Sequence, residues 1–236
     1  MKVAVVCCLH GNEPYGLEVA NKLTSSFSFF IGNKIALERK VRFIEADMNR
    51  CFPGKINGNY EEVMASKLVK KLKEYEYVID LHSSSNHCPL FGIITKPNKE
   101  KLNFAKRLGL KRLVIMPEFF ASGKALIDFV RCGISLEVGP HERKENVKEV
   151  LKAIDNFFNN KNNGNVKIFE VFDIIKKDYS EVLINNFDKI KNGQIISRIG
   201  KNKQTSKFDF TAVLVNEESY GDILCLACKK YAPAGI

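Results

Sequence analysis

Short apolar runs and longer amphipathic stretches alternate along the first two-thirds of the chain. Lys2–Cys8, Val41–Glu45, Tyr77–Leu81, Leu90–Ile94, Arg112–Met116 and Gly133–Val138 have the length and character of strands. Helical periodicity marks Tyr15–Leu23, Glu61–Glu74, Asn98–Leu108 and Arg143–Asn159. Strands separated by helices predict an α/β sheet with helices on both faces. The polar stretch "NNKNNGN" (Asn159–Asn165) breaks this pattern. It predicts a first domain over residues 1–163 and a second over residues 164–236. The second should be small and β-rich, with strands at Val166–Ile175, Gln194–Ile199, Phe208–Val215 and Ile223–Lys229.

Composition narrows the class. A chain of 236 residues can bury a sizeable core. No apolar run is long enough to cross a membrane. The opening "MKVAVVCC" is too short for a signal peptide and runs straight into polar residues, so it is expected to be a strand and the chain to be cytoplasmic. The seven cysteines are an odd number in mostly apolar settings, which fits reduced thiols. Cys225 and Cys228 form one CxxC, a weak signal for metal or redox chemistry without a second pair. The net charge of +10 could draw in anions. Segments such as "KLVKKLKEYE" read more simply as a solvated helix face, and no nucleic-acid motif accompanies them.

In open α/β sheets the ligand site lies beyond the carboxyl ends of the strands. The predicted strands end in "HGNE" (His10, Glu13), "ADMNR" (Asp47, Asn49, Arg50), "DLHSSS" (Asp80, His82) and "LEVGP" (Glu137). Two histidines and a carboxylate are a catalytic zinc ligand set, with a fourth position left to water. Each residue also has a plain reading. A histidine at a strand end is often only hydrogen-bonded, and Glu13 could serve the dipole of the following helix. There is no nucleophile elbow and no Gly-rich phosphate loop, and His87 and His141 read as rim or surface residues.

"HGNEPYG", "RFIEADMNRCFPG", "VIDLHSSS", "SLEVGP" and "VNEESY" occur in that order. Together they resemble the succinylglutamate desuccinylase/aspartoacylase family, relatives of zinc carboxypeptidases. The resemblance implies a zinc-carboxypeptidase-like mixed sheet and one Zn2+ per chain, held by His10, Glu13 and His82. It implies Glu137 as the general base and acid, and Arg42 as the residue that polarises the scissile carbonyl. Asn49 and Arg50 would hold the substrate carboxylate, and Asn33 and Tyr220 match further substrate contacts. Asp47 and Asp80 read as carboxylates that orient an Arg or a metal-bound His. The sequence also departs from the family. Aligning "FFASGKALI" with the Tyr and Arg that hold the aspartate side chain in animal aspartoacylases places Phe120 and Lys124 there. Lys does not replace the two-pronged grip of Arg, which weakens the case for N-acetylaspartate. The chain is shorter than animal aspartoacylases, mainly in the C-terminal part that narrows their entrance, so a more open entrance is expected.

The reading is a zinc-dependent hydrolase that deacylates a small anionic N-acyl amino acid, with neither nucleic acid nor a membrane as partner. A homo-oligomer is compatible with it. One rival is a metallocarboxypeptidase, which would use the same zinc and Glu on a peptide C-terminus. The other is a basic binding module that needs no metal, against which the His/Glu set argues.

Overall fold

The computed structural model describes residues 1–23, 27–121, 123–159 and 164–232. The first strand, β1 (Val3–Cys7), is buried on both faces. Val3, Val5 and Cys7 pack into one core cluster, and Ala4 and Val6 into another. Helix α1 (Tyr15–Lys22), strand β2 (Ser28–Ile31), helix α2 (Lys34–Arg39) and helix α3 (Tyr60–Leu72) follow. A capping box of Asn59 and Glu62 starts α3, as its polar N-terminal residues favour. Then come β3 (Tyr77–Ser83), β4 (Cys88–Ile94), α4 (Lys99–Arg107), β5 (Arg112–Ile115), α5 (Glu118–Ala121), β6 (Gly133–Gly139) and α6 (Glu145–Asn159). Residues of α1, α4 and α6 cover one face of the sheet, and residues of α3 cover the other. Helices on both faces explain why β1, β3 and β6 are near-continuous apolar runs.

The C-terminal part is β-rich, with β7 (Lys167–Lys176), β8 (Glu181–Val182), β9 (Lys189–Ile190), β10 (Ile195–Ile199), β11 (Asn202–Thr205), β12 (Phe210–Val213) and β13 (Ile223–Lys230). β7, β13, β12 and the short β9 extend the main sheet. The ten-stranded order is β2-β1-β3-β6-β4-β5-β7-β13-β12-β9, and β11-β10-β8 form a separate small sheet. β7 pairs parallel with β5 and antiparallel with β13, so hydrogen bonding runs unbroken through the sheet. The expected boundary after residue 163 adjoins residues 160–163, which lie outside the described residues.

One predicted strand is absent. Val41–Glu45 is a loop, and the edge position beside β1 is taken by β2, paired in parallel from Ala4 with Ser28 to Cys7 with Ile31. The cause is Glu61, fully buried at the start of α3. Its carboxylate accepts hydrogen bonds from the backbone N–H groups of Ile44 (2.7 Å), Glu45 (3.1 Å) and Ala46 (3.2 Å). These groups are therefore satisfied without a sheet partner. The alternating pattern of "VRFIE" describes a loop wrapped around a buried anion, with Val41 and Phe43 left substantially exposed.

Candidate active site

β1 delivers the first two residues of interest. After Cys7 the chain turns through Cys8, which has a left-handed φ of 53°, into the loop His10–Glu13. Gly11 is required here by close approach: a Cβ would sit 2.1 Å from the Ala36 carbonyl carbon. Its N–H donates to the Arg42 carbonyl at 3.2 Å, so the loop is pinned against α2 and the Arg42 segment. His82 arrives on β3, two strand positions beyond Asp80. The Tyr15 hydroxyl donates to the His82 carbonyl (3.0 Å) and ties α1 to this strand.

His10, Glu13 and His82 are buried, and one donor atom from each lies within 4.8 Å of the others. His10 Nδ1 is 2.7 Å from Glu13 Oε1, and His82 Nδ1 is 3.3 Å from Glu13 Oε2. The far nitrogens face carboxylates. His10 Nε2 is 2.9 Å from Asp47 Oδ1, and His82 Nε2 is 2.7 Å from Asp80 Oδ2. Asp80 Oδ2 also accepts from Ser135 Oγ (3.2 Å), and Glu13 Oε2 from the Ser83 N–H (2.9 Å). Two imidazoles and a carboxylate turned toward one point, each ring backed by a second carboxylate, suit a small divalent cation with nitrogen and oxygen preferences. The donor chemistry therefore fits zinc.

Glu137 stands beside this cluster because β3 and β6 are in parallel register, His82 opposite Glu137 and Asp80 opposite Ser135. Glu137 is buried, and burial pushes its carboxyl well above the usual carboxylate range. His82 pulls in the other direction, while the nearby Glu13 and Glu217 carboxylates add to the rise. Glu13 behaves oppositely. Burial raises it, but His10 and His82 outweigh burial and hold it well below the usual range. Two carboxyls in one site thus have proton affinities pushed far apart, the arrangement expected of an ionised ligand beside a proton carrier.

The cluster opens into a cleft lined also by Arg42, Asn49, Arg50 and Tyr220. The Arg42 guanidinium donates to Asp47 Oδ2 (Nε 3.3 Å, Nη2 3.0 Å), and its Nη1 lies 3.5 Å from Glu13 Oε1. Asn49 Oδ1 accepts from the Leu126 N–H (2.9 Å), which holds Nδ2 near His82. Arg50 Nη1 donates to the Asn49 carbonyl (2.8 Å), and its guanidinium carbon lies 6.0 Å from the Phe120 ring centre. Tyr220 meets the same Phe120 ring edge-on at 5.2 Å.

Two predicted residues are not brought to the cleft. Asn33 is fully buried, caps α2 by accepting from the Ala36 N–H (3.0 Å), and donates to Glu61 Oε1 (2.9 Å). It supports the loop carrying Arg42 and Asp47 and is not among the cleft-lining residues. Lys124 is exposed and also absent from the lining; its carbonyl accepts from the Phe52 N–H. Cys225 and Cys228 pack into different core clusters, so the CxxC does not converge. His87 is exposed, and His141 Nδ1 is 2.8 Å from Ser83 Oγ.

Glu217 is a lining residue that sequence reasoning passed over. It is buried and accepts twice from the Ser85 N–H (2.9 and 3.2 Å), fastening the C-terminal part to the strand-end loop after β3. Its signal lay in the same "VNEESY" stretch as Tyr220. Thr95 also lines the cleft, although nothing in its sequence surroundings marks it.

A mixed α/β sheet thus carries at its strand ends a buried His/Glu/His cluster that could hold a metal ion, with Glu137 beside it. Residues 1–159 match the model of the succinylglutamate desuccinylase/aspartoacylase catalytic domain, and the chain belongs to that family of N-acyl amino acid deacylases. It is 29% identical over 126 residues to a probable aspartoacylase of Acaryochloris marina, covering 45% of this chain and 43% of that protein. It is 27% identical over 157 residues to a succinylglutamate desuccinylase of Shewanella denitrificans, covering 60% of this chain and 43% of that protein. The chain thus spans less than half the length of these two curated relatives. The crystal structure of murine aminoacylase 3 shares the fold, with a TM-score of 0.80 at 19% identity over 98% of this chain and 95% of that one.

Proposed function

We propose that this protein hydrolyses the amide bond of an N-acyl amino acid with zinc held by His10, Glu13 and His82. The observation that carries the reading is the register that sets Glu137 beside His82 at the rim of that cluster. Bound zinc would lower the pKa of a water and polarise the acyl carbonyl. Glu137, kept basic by burial, takes a proton from the attacking water and returns one to the leaving amine nitrogen. Arg42, fixed by Asp47, presents positive charge where the carbonyl oxygen becomes anionic. Arg50 holds the substrate carboxylate, with Asn49 Nδ2 beside it. Tyr220 packs on the Phe120 ring that Arg50 also lies against. Asn33 and Lys124 take no part in substrate contact in this reading.

The experiment is amine release by the purified chain, with zinc and with a chelator, from a panel of N-acyl amino acids, with C-terminal dipeptides as controls. Zinc-dependent release from the acylated amino acids is expected. Cleavage of the dipeptides alone would replace the deacylase by a carboxypeptidase.

A further inference from the structure

The charges lining the cleft are unevenly committed. Arg42 is already paired with Asp47 and lies against Glu13. Arg50, by contrast, makes no ion pair among the described residues, and its one hydrogen bond goes to a neutral carbonyl. Of the two arginines among the described residues that line the cleft, Arg50 is the one without an ion pair. Lys124, the other cation the sequence offered for an acidic side chain, is exposed and lies outside the lining. Glu13, Glu137 and Glu217 line the same space. One carboxylate therefore has a partner in this cleft, and a second would meet other carboxylates.

The rest of the lining is uncharged, with apolar side chains beside the hydroxyls of Ser83, Ser135 and Ser219. On β4, Ile93 stands opposite Ser135 of β6, and Phe91 opposite Glu137, so Ile93 is on the catalytic face of the sheet. Thr95, two residues on, continues that face. Met116 follows β5, the next strand outward. Phe120, Ile127 and Leu214 are further apolar residues of the lining. Thr95 Oγ1 is buried and has no hydrogen-bond partner among the described residues, so it offers one uncharged polar atom. The Arg50 guanidinium lies against this wall, 6.0 Å from the Phe120 ring centre. A carboxylate on Arg50 and the side chain on the same α-carbon would then fall on the guanidinium and on the apolar wall respectively.

Resting on the deacylase reading above, we infer that the substrate has a single carboxylate and an apolar amino-acid side chain, aliphatic or aromatic. Acidic side chains and dicarboxylic acyl groups are selected against. The test compares kcat/KM of the full zinc-supplemented chain for N-acetyl-leucine, N-acetyl-phenylalanine, N-acetyl-aspartate, N-succinyl-glutamate and N-hexanoyl-glycine. Calorimetric binding of the same compounds to Glu137→Gln gives a readout independent of turnover. The first two should exceed the acidic substrates by about tenfold to a hundredfold in both measurements. Met116→Arg, which adds a cation to the wall, should narrow that gap by about tenfold. Equal or better use of N-acetyl-aspartate or N-succinyl-glutamate overturns this inference and leaves the deacylase reading standing. Better use of N-hexanoyl-glycine than of N-acetyl-leucine also overturns it, because the apolar wall then serves the acyl group. Amine release from no compound, with no binding, overturns the deacylase reading and this inference together.

Discussion

Glu137→Gln keeps the shape of the side chain and removes its basicity. If Glu137 carries the proton, turnover should fall by roughly 10²- to 10⁴-fold. Bound zinc, measured by elemental analysis of the purified variant, should stay near one per chain. Asp80→Asn probes the support of a ligand. Asp80 accepts from His82 Nε2 at 2.7 Å, and losing that acceptor should weaken zinc binding by about 10- to 100-fold in a competition titration. The same histidine sets a pH dependence. Burial lowers His82, but Asp80 and Glu13 outweigh burial and hold it well above the ordinary histidine value in the metal-free protein. Its protonated form therefore adds stability that is full below the ordinary value and is lost as pH rises through the raised one. Zinc needs the neutral ring, so the gain in Tm on adding zinc should be larger at pH 8 than at pH 6. A gain that shrinks with pH would remove His82 from the ligand set. At this scale the sequence was informative because short motifs fix residue type and order: His10, Glu13, His82 and Glu137 all stand where strand ends were expected. Lys124 is exposed and not among the lining residues, and alignment through "FFASGKALI" gives neighbours in sequence without saying which way an exposed residue faces.

At the scale of elements, the loop bearing Arg42 and Asp47 depends on one buried carboxylate. Glu61 accepts from three backbone N–H groups and from Asn33 Nδ2, and so replaces the strand pairing that this segment lacks. Glu61→Ala leaves those donors unsatisfied and should destabilise the fold by about 3 kcal/mol, read from urea unfolding. Activity should fall as well, since Arg42 and Asp47 lose their frame; Glu61→Gln should recover part of both. Little change in stability would mean that the loop is held by other contacts. The helices α1, α3, α4 and α6 were legible within about two residues of their ends because each has a clear apolar stripe. The edge strand β2 and the short α2 were not. β2 is only half-buried, and an edge strand needs one satisfied side, so its sequence is weakly constrained. "VRFIE" alternates as a strand does, yet its backbone partner is a side chain some sixteen residues further on, which no local pattern can reveal.

The whole molecule raises a different question, because the chain changes character near residue 160 while the sheet does not. Strand β7 lies between β5 and β13, and Glu217 accepts from the Ser85 N–H across the same junction. Leu214, Glu217, Ser219 and Tyr220 line the cleft together with His10 and His82. Polar linkers often separate independent domains, which is why the composition of "NNKNNGN" pointed to one. Strand pairing between distant segments leaves no comparable trace in composition. If the junction is as continuous as its hydrogen bonding, the two parts should unfold together. Scanning calorimetry of the full chain should then give one transition, with calorimetric and van't Hoff enthalpies in agreement. Zinc should move that transition as a unit, because binding to the folded form alone raises its stability by mass action. Two separable transitions, with only the first or only the second shifted by zinc, would show that the C-terminal strands are held to the sheet more weakly than they are held to one another. The cleft wall they supply would then be a docked part and not a fixed one.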